Sequence, residues 1–365
     1  MVKSGEDIMN KENNKQMIVK EEKNNKINYI SVLSVISAIA VVILHTNEFW
    51  IFSTEKYWFT ANLIECLFYF AVPIFFMISG ITLIDYRDRY DTKEFLKKRI
   101  KKTFIPFLCW SLIGMLYFTF FKEVFSIFEM KRTHFINTIF ETKCIGIYWF
   151  FIQLFCVYLC IPLFSAIDKK LRKEVFTYLL IVCGIFNCIL PFFNEIFEQN
   201  LALPITVQVG SGYLLYIIIG YLLHTTKFDK VTEICIYVLG LGGLLLHIFG
   251  TYNLSMQAGS IIGTYKGYNN VPCILYSSAI FLLIKNICSK IKNVSLFSMV
   301  NRIKKYTFAI YVIHWYVIDI LTVEFNLTTT VLLYRIGMPI IVIPICILIT
   351  YILRKIPIIR NIVPE

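Results

Sequence analysis

Ten stretches of apolar side chains, separated by short polar segments, occupy most of this chain. Each is close to the ~20 residues that an α-helix needs to cross ~30 Å of hydrocarbon. Helices are the expected spans, because an open strand in lipid would leave its backbone polar groups unpaired. The pattern therefore predicts an all-α, polytopic integral membrane protein with about ten transmembrane helices. The stretches run roughly over residues 29–52, 60–84, 103–121, 145–164, 175–193, 207–223, 231–250, 271–288, 306–324 and 331–353.

Polar residues are concentrated at the two ends of the chain. Residues 1–27 combine lysines, acids and asparagines, so we predict a polar, disordered cytoplasmic tail. A contact of this tail with the membrane surface or with a partner is the alternative. Residues 28–355 are predicted to form a single transmembrane domain, and residues 356–365 a short cytoplasmic tail.

The composition identifies the lipid bilayer as the main partner of this chain. Apolar residues make up 57% of the sequence and charged residues 16%, against roughly 25% charged residues in soluble domains. In a soluble protein the net charge of +12 would suggest nucleic-acid binding, but here the basic residues lie in short loops between apolar runs. They indicate topology, and no nucleic-acid partner is predicted.

The distribution of Lys and Arg predicts the orientation. With the N-terminus inside, the cytoplasmic segments hold 29 of the 36 basic residues and the outer loops hold 6. The remaining one, Arg335, lies within the last predicted span. Because short cytoplasmic loops retain positive charge, both termini are predicted to be cytoplasmic.

An ionisable side chain inside a span is costly in lipid and is therefore a candidate for function. His45 lies in the outer half of the first predicted span, with Glu48 three residues later on the same helical face. Such a carboxylate could hold the imidazole in one tautomer and raise its basicity, as a general base requires. The alternative is that both residues simply mark the watery end of the span.

The second candidate is His314, about eight residues into the ninth predicted span and ~12 Å from its inner end by helical rise. Tyr311, one turn earlier, could share its face, whereas Asp319, five residues later, is less well aligned. The depth favours a function, although a lone histidine in a membrane is often a hydrogen-bonded packing residue.

A basic cluster precedes the third predicted span and places Arg99 and Lys102 on one face at the membrane surface. A nucleotide phosphate arriving from the cytoplasm would meet guanidinium and ammonium donors there. The alternative is a cluster that serves topology alone. No Cys/His spacing suggests a metal-binding site, and none is predicted.

Five sequence pieces, taken in their order along the chain, resemble the membrane-bound acyltransferase 3 family. Members of this family acylate sugars and other hydroxyls on or beyond the membrane. The resemblance covers about residues 28–355. The pieces are AIAVVILH in the first span, FAVPIFFMISG in the second, FLKKRIKKTFIPFLCW entering the third, IYWFFIQLFCVYLCIPLF at 147–164, and YTFAIYVIH late in the chain.

The resemblance implies an acyl-CoA donor such as acetyl-CoA, used from the cytoplasmic side, and an acceptor hydroxyl at the outer side. Two family histidines match His45 and His314, which implies that they are catalytic, with Glu48 as an orienting group for His45. The family's basic residues at the third span match Arg99 and, as lysine rather than the commoner arginine, Lys102. Its second-span Ser-Gly pair begins at Ser79.

One position departs from the family pattern. Members often carry an arginine eleven residues before the first-span histidine, where this chain has Ser34. Either another basic residue such as Lys26 takes over, or this protein handles donor or acceptor differently.

The resemblance thus implies an O-acetyltransferase of a bacterial plasma membrane, acting on a cell-surface or lipid-linked polysaccharide. A thioester is already activated, so the enzyme must orient the hydroxyl, remove its proton and stabilise the oxyanion. The alternative is a non-enzymatic carrier or flippase for a lipid-linked sugar, which would use histidine and tyrosine only to bind its cargo.

Overall fold

A computed structural model describes residues 28–123, 131–197, 205 and 207–365. The predicted disordered tail, residues 1–27, lies outside these described residues. Within them the chain is helical throughout its ordered elements, as the apolar pattern predicts. The helices are α1 Asn28–Thr46, α2 Lys56–Asp88, α3 Thr92–Phe120, α4 Arg132–Phe140, α5 Gly146–Ala166, α6 Lys169–Ile196, α7 Tyr213–Thr225, α8 Lys230–Ala258, α9 Val271–Lys290, α10 Val294–Lys304, α11 Thr307–Glu324 and α12 Leu332–Lys355.

Nine helices of the described residues are long and apolar enough to cross a membrane, which confirms a polytopic membrane protein. The tenth predicted span, residues 207–223, differs from the others because its helix, α7, has only 13 residues. At 1.5 Å per residue, α7 covers roughly 20 Å, less than the hydrocarbon core. Its side chains from Leu215 to Leu223 are all buried in the protein. A short helix can be accommodated there because protein, and not lipid, surrounds these side chains.

Glycines allow α7 to pack directly on α2. A Cβ at Gly80 of α2 would collide with the backbone carbonyl of Ile217, and one at Gly220 of α7 would collide with the backbone of Met77. Small residues that let two helix backbones approach closely are the usual means of helix association in membranes. Gly80, which belongs to the Ser-Gly pair of the second span, therefore has a packing role.

The C-terminal segment, residues 356–365, folds back onto the helices. Trp110 of α3 donates from Nε1 to the carbonyl of Ile362 at 2.9 Å, and Arg354 of α12 donates to the carbonyls of Val363 and Pro364 at 2.9 Å each. The side chain of Val363 is fully buried. The short tail expected from the sequence is thus docked against the bundle at the end where α3 begins and α12 ends.

The orientation deduced from the basic residues predicts opposite labelling of two helix ends. With both termini cytoplasmic, a cysteine at position 92, where α3 begins, should be protected from a membrane-impermeant maleimide on intact cells. A cysteine at position 258, where α8 ends, should react. Labelling each variant again after permeabilisation provides the control, and the reverse pattern on intact cells would overturn this topology.

Candidate active site

Helix packing brings together the two histidines that the sequence singled out. The ring centroids of His45 in α1 and His314 in α11 lie 5.2 Å apart, with their planes tilted by 38°. The two residues are far apart along the chain, so this proximity depends on the tertiary fold. Two imidazoles at this distance can both reach a single small group between them.

Hydrogen bonding sets the tautomer of His314. Its Nδ1 lies 2.9 Å from the backbone carbonyl oxygen of Ile310, one helical turn earlier. A carbonyl can only accept, so Nδ1 carries the proton, and in the neutral ring Nε2 then holds a free lone pair. That Nε2 is buried and has no hydrogen-bond partner among the described residues. An unpartnered buried acceptor is rare in a folded protein and calls for an explanation, of which a catalytic role is one.

His45 differs from His314 in its access to solvent. It lies in the last turn of α1, one residue before the helix ends at Thr46. Its side chain is exposed, so a substrate can reach the ring. The His314 side chain beside it is fully buried. The arrangement therefore pairs one histidine that a substrate can reach with one that is enclosed behind it.

Glu48 does not share a helical face with His45, contrary to the sequence-based expectation. Helix α1 ends at Thr46, and Glu48 adopts a left-handed conformation with φ of 53°. Its carboxylate is hydrogen-bonded to Thr329 rather than to an imidazole. Burial raises the pKa of Glu48, and the hydrogen bond from Thr329 partly opposes that rise. The spacing rule failed because the helix stops before it reaches Glu48.

Two polar neighbours of His314 are engaged elsewhere. The Tyr311 hydroxyl donates to the carbonyl of Ile147, although its ring centroid lies 6.0 Å from that of His314. Asp319 forms an ion pair with Lys122, with Nζ 2.7 Å from Oδ2. Tyr117 also donates to Asp319. Both residues hold α11 against neighbouring elements.

Arg99 packs at the junction of α3 and α5. Its guanidinium carbon lies 5.7 Å from the ring centroid of Phe95 and 5.5 Å from that of Tyr158. The Nε atom is buried and has no hydrogen-bond partner in the described part of the chain. Directly after Arg99, residues Ile100–Phe104 form a π-helical segment, a local widening that is frequent at functional sites.

Lys102 lies in this π-helical segment and has different neighbours from Arg99. Its exposed side chain lines a cleft of about 380 Å³ together with Lys101, Arg354 and Arg360. The wider helical turn changes the angular spacing between residues 99 and 102, so the predicted common face is replaced by two adjacent environments. The cleft collects basic side chains from α3, α12 and the C-terminal segment.

Ser79 and Ser34 both form local hydrogen bonds. The hydroxyl of Ser79 donates to the carbonyl of Phe75 at 3.0 Å, and that of Ser34 donates to the carbonyl of Ile30 at 2.8 Å. Ser79 is half-buried, whereas Ser34 is buried. Lys26, named as a substitute for the arginine missing at position 34, lies outside the described residues.

A buried polar network at the C-terminal end of α1 was missed by the sequence reasoning. Asn47 donates from Nδ2 to the carbonyl of Ala61 at 2.7 Å and lies 3.4 Å from Oε2 of Glu65. Glu65 forms an ion pair with Lys266 at 3.2 Å, and both side chains are buried. Arg335 reaches the same network through Asn47. Glu65 and Arg335 both lie inside predicted spans, so the rule on intramembrane charges could have identified them.

No group of three or more metal-binding side chains occurs among the residues that the structure describes.

A comparison with protein-family models matched residues 27–352 to the acyltransferase domain of the acyltransferase 3 family. This match covers nearly all of the chain, including both histidines and the basic cluster. The chain belongs to the acyltransferase 3 family. Neither the curated proteins nor the solved structures yielded a match. Membership in the acyltransferase 3 family supports an acyltransferase-type activity for this membrane protein.

Proposed function

We propose that this acyltransferase moves an acetyl group from acetyl-CoA to a hydroxyl of a cell-surface or lipid-linked polysaccharide in a bacterial plasma membrane. The observation that carries the proposal is the proximity of His45 and His314, with ring centroids 5.2 Å apart. An accessible imidazole beside one with a free lone pair is suited to removing a proton from a hydroxyl.

The chemistry follows from the roles of the two rings. The exposed His45 accepts the proton of the acceptor hydroxyl as the hydroxyl oxygen attacks the thioester carbonyl carbon. His314 accepts a hydrogen bond at Nε2 and orients the group between the rings. A C–O bond forms and the C–S bond breaks, and His45 returns the proton to the departing thiolate. The reaction consumes no net proton, and the thioester supplies the activation.

The basic residues at the start of α3 support a donor site on the cytoplasmic side. Lys101, Lys102 and Arg360 line the cleft, and phosphate groups would form charge-assisted hydrogen bonds with them, whereas Arg354 is held by carbonyls of the C-terminal segment. The unpartnered Nε of Arg99 offers a further donor nearby in sequence. In this proposal, these side chains bind the phosphates of the donor and its acyl end extends toward the histidines. Ser79 is proposed to take part in donor binding, whereas the hydrogen bond of Glu48 to Thr329 leaves it no direct part in orienting His45.

Replacing Arg99 or Lys102 should weaken donor binding much more than acceptor binding. A charge-assisted hydrogen bond contributes about 1.5–3 kcal/mol, so Arg99→Ala should raise the KM for acetyl-CoA roughly 10- to 150-fold. Arg99→Lys should recover only part of this loss, because lysine keeps the charge but lacks the planar fork. Steady-state kinetics on purified variants of equal abundance give both KM values.

The matched control for the donor site is Lys97→Ala, which removes an exposed positive charge from the same cluster. Its KM for acetyl-CoA should remain near the wild-type value. If Arg99→Lys behaves as wild type and Arg99→Ala alters only insertion or abundance, the cluster serves topology and the donor site is assigned wrongly.

The carrier hypothesis predicts a different outcome for the glycan itself. Under the enzymatic proposal, cells that lack this protein lose O-acetyl groups from a surface polysaccharide but keep the polysaccharide. Under the carrier hypothesis, the polysaccharide itself decreases at the surface. Quantifying O-acetyl groups and total surface glycan in the same cells distinguishes the two, and unchanged O-acetylation would contradict the proposal.

A further inference from the structure

We propose that Arg335 is a positioning residue that fixes the end of α1, and with it His45, for acyl transfer. This inference rests on the proposed function for its kinetic readout. The inference starts from two hydrogen bonds, since both residues that follow His45 are hydrogen-bonded to Arg335.

The first of these hydrogen bonds arises from a proline in α12. Pro339 has no N–H, so the carbonyl of Arg335, four residues earlier, has no partner within the helix. The hydroxyl of Thr46 donates to this carbonyl at 3.0 Å. The bond satisfies a backbone group inside the protein and also ties the last residue of α1 to α12.

The second contact uses the guanidinium group. Arg335 donates from Nη1 to Oδ1 of Asn47 at 3.5 Å and from Nη2 to Oγ1 of Thr60 at 2.7 Å. Its guanidinium carbon also lies 5.2 Å from the ring centroid of Tyr57. Arg335, which lies in α12, therefore joins the end of α1 to the first turn of α2.

The electrostatic environment of Arg335 is unusual for an interior arginine. Its side chain is only 1% exposed, Nε has no hydrogen-bond partner, and no carboxylate of the described residues lies within ion-pair distance. Burying a charge with neutral partners costs free energy that an apolar side chain of similar volume would avoid.

The contacts of Arg335 concern the last turn of α1. Helix ends fray because their final carbonyl groups lack intrahelical partners, and His45 is one residue from that end. Arg335 fastens the two residues beyond His45, and Asn47 continues the contact to Glu65. A catalytic group held about 1 Å away from its productive position can lose roughly 100-fold in rate, so such a clamp is expected to act on kcat.

Arg335→Lys tests the clamp, since lysine keeps the charge but its compact ammonium lacks the planar fork whose two nitrogens contact Asn47 and Thr60. The expected result is a kcat about 10- to 100-fold lower, with both KM values within about twofold of wild type. A second readout is independent of acyl transfer: the rate at which diethyl pyrocarbonate modifies His45, measured by mass spectrometry, should change, while modification of the exposed His134 should not.

The matched control is Arg172→Lys, at a buried arginine whose guanidinium forms an ion pair with Asp85 at 2.5 Å. It should affect stability without changing kcat or the modification of His45. Thr46→Val removes only one hydroxyl, so it tests the clamp even if the arginine variant does not fold. If wild-type protein shows no transfer, the proposed function fails, yet a changed His45 modification rate still supports the clamp. An unchanged modification rate in Arg335→Lys and Thr46→Val would overturn it.

Discussion

His45→Ala should reduce acyl transfer by about two to four orders of magnitude, the usual range for loss of a general base. The residue is exposed at the end of α1, beside His314 at a centroid separation of 5.2 Å. No side-chain hydrogen bond joins His45 to another described residue and its ring is exposed, so we expect the variant to fold. The effect should therefore appear in kcat, measured with purified variants and labelled acetyl-CoA, and not in abundance or thermal stability.

A suitable control for this variant is His134→Ala, because His134 is exposed on α4 and has no role in the proposed chemistry. Its kcat should equal that of the wild type. If His45→Ala turns over at the wild-type rate, His45 is not the base that removes the acceptor's proton.

Two substitutions of His314 should distinguish the roles of its two ring nitrogens. His314→Asn places an amide group near the position of Nδ1, where it can still donate to the carbonyl of Ile310, but it removes the lone pair at Nε2. If that lone pair handles a substrate proton, this variant should lose about two to four orders of magnitude in kcat while remaining folded.

His314→Gln is the complementary variant. Its longer side chain extends toward the position of Nε2 but cannot reproduce the donor at Nδ1 in the same geometry. We expect this variant to unfold at a lower temperature than His314→Asn, because a buried backbone acceptor loses its additional partner, at a cost of about 1–3 kcal/mol. If His314→Asn retains wild-type kcat, His314 is a packing residue, as the sequence alone also allowed.

The long helices could be predicted from the sequence because lipid imposes a simple length and polarity rule on every span. The same rule overestimated the length of α7, which has only 13 residues and is enclosed by protein. Whether a helix is surrounded by lipid or by protein depends on tertiary packing. Gly80 and Gly220 show how close that packing is, but their sequence spacing does not identify their partners.

Individual site residues could be named from the sequence, and their roles stay predictions, but two of the expected relations between residues failed. His45 and His314 were identified one by one, whereas their proximity requires the packing of α1 and α11. The expected faces failed where helices deviate from regular geometry. Helix α1 ends before Glu48, and a π-helical segment separates the environments of Arg99 and Lys102.

The network around Arg335 shows a different limit. A charged residue inside a span is visible in the sequence, but its partners come from α1 and α2, which lie far away along the chain. The free carbonyl opposite Pro339 is predictable from the proline rule. That Thr46 satisfies it, one residue after His45, is evident only in the folded protein.

The most direct measurement is the turnover of radiolabelled acetyl-CoA by the purified protein in proteoliposomes that contain a polysaccharide acceptor. Our account predicts that labelled acetyl groups appear on the acceptor as ester and that free CoA is released in equal amounts. Both products should fall to background in His45→Ala and His314→Asn. The account is contradicted if acetyl-CoA is neither bound nor consumed while a labelled lipid-linked sugar crosses the bilayer.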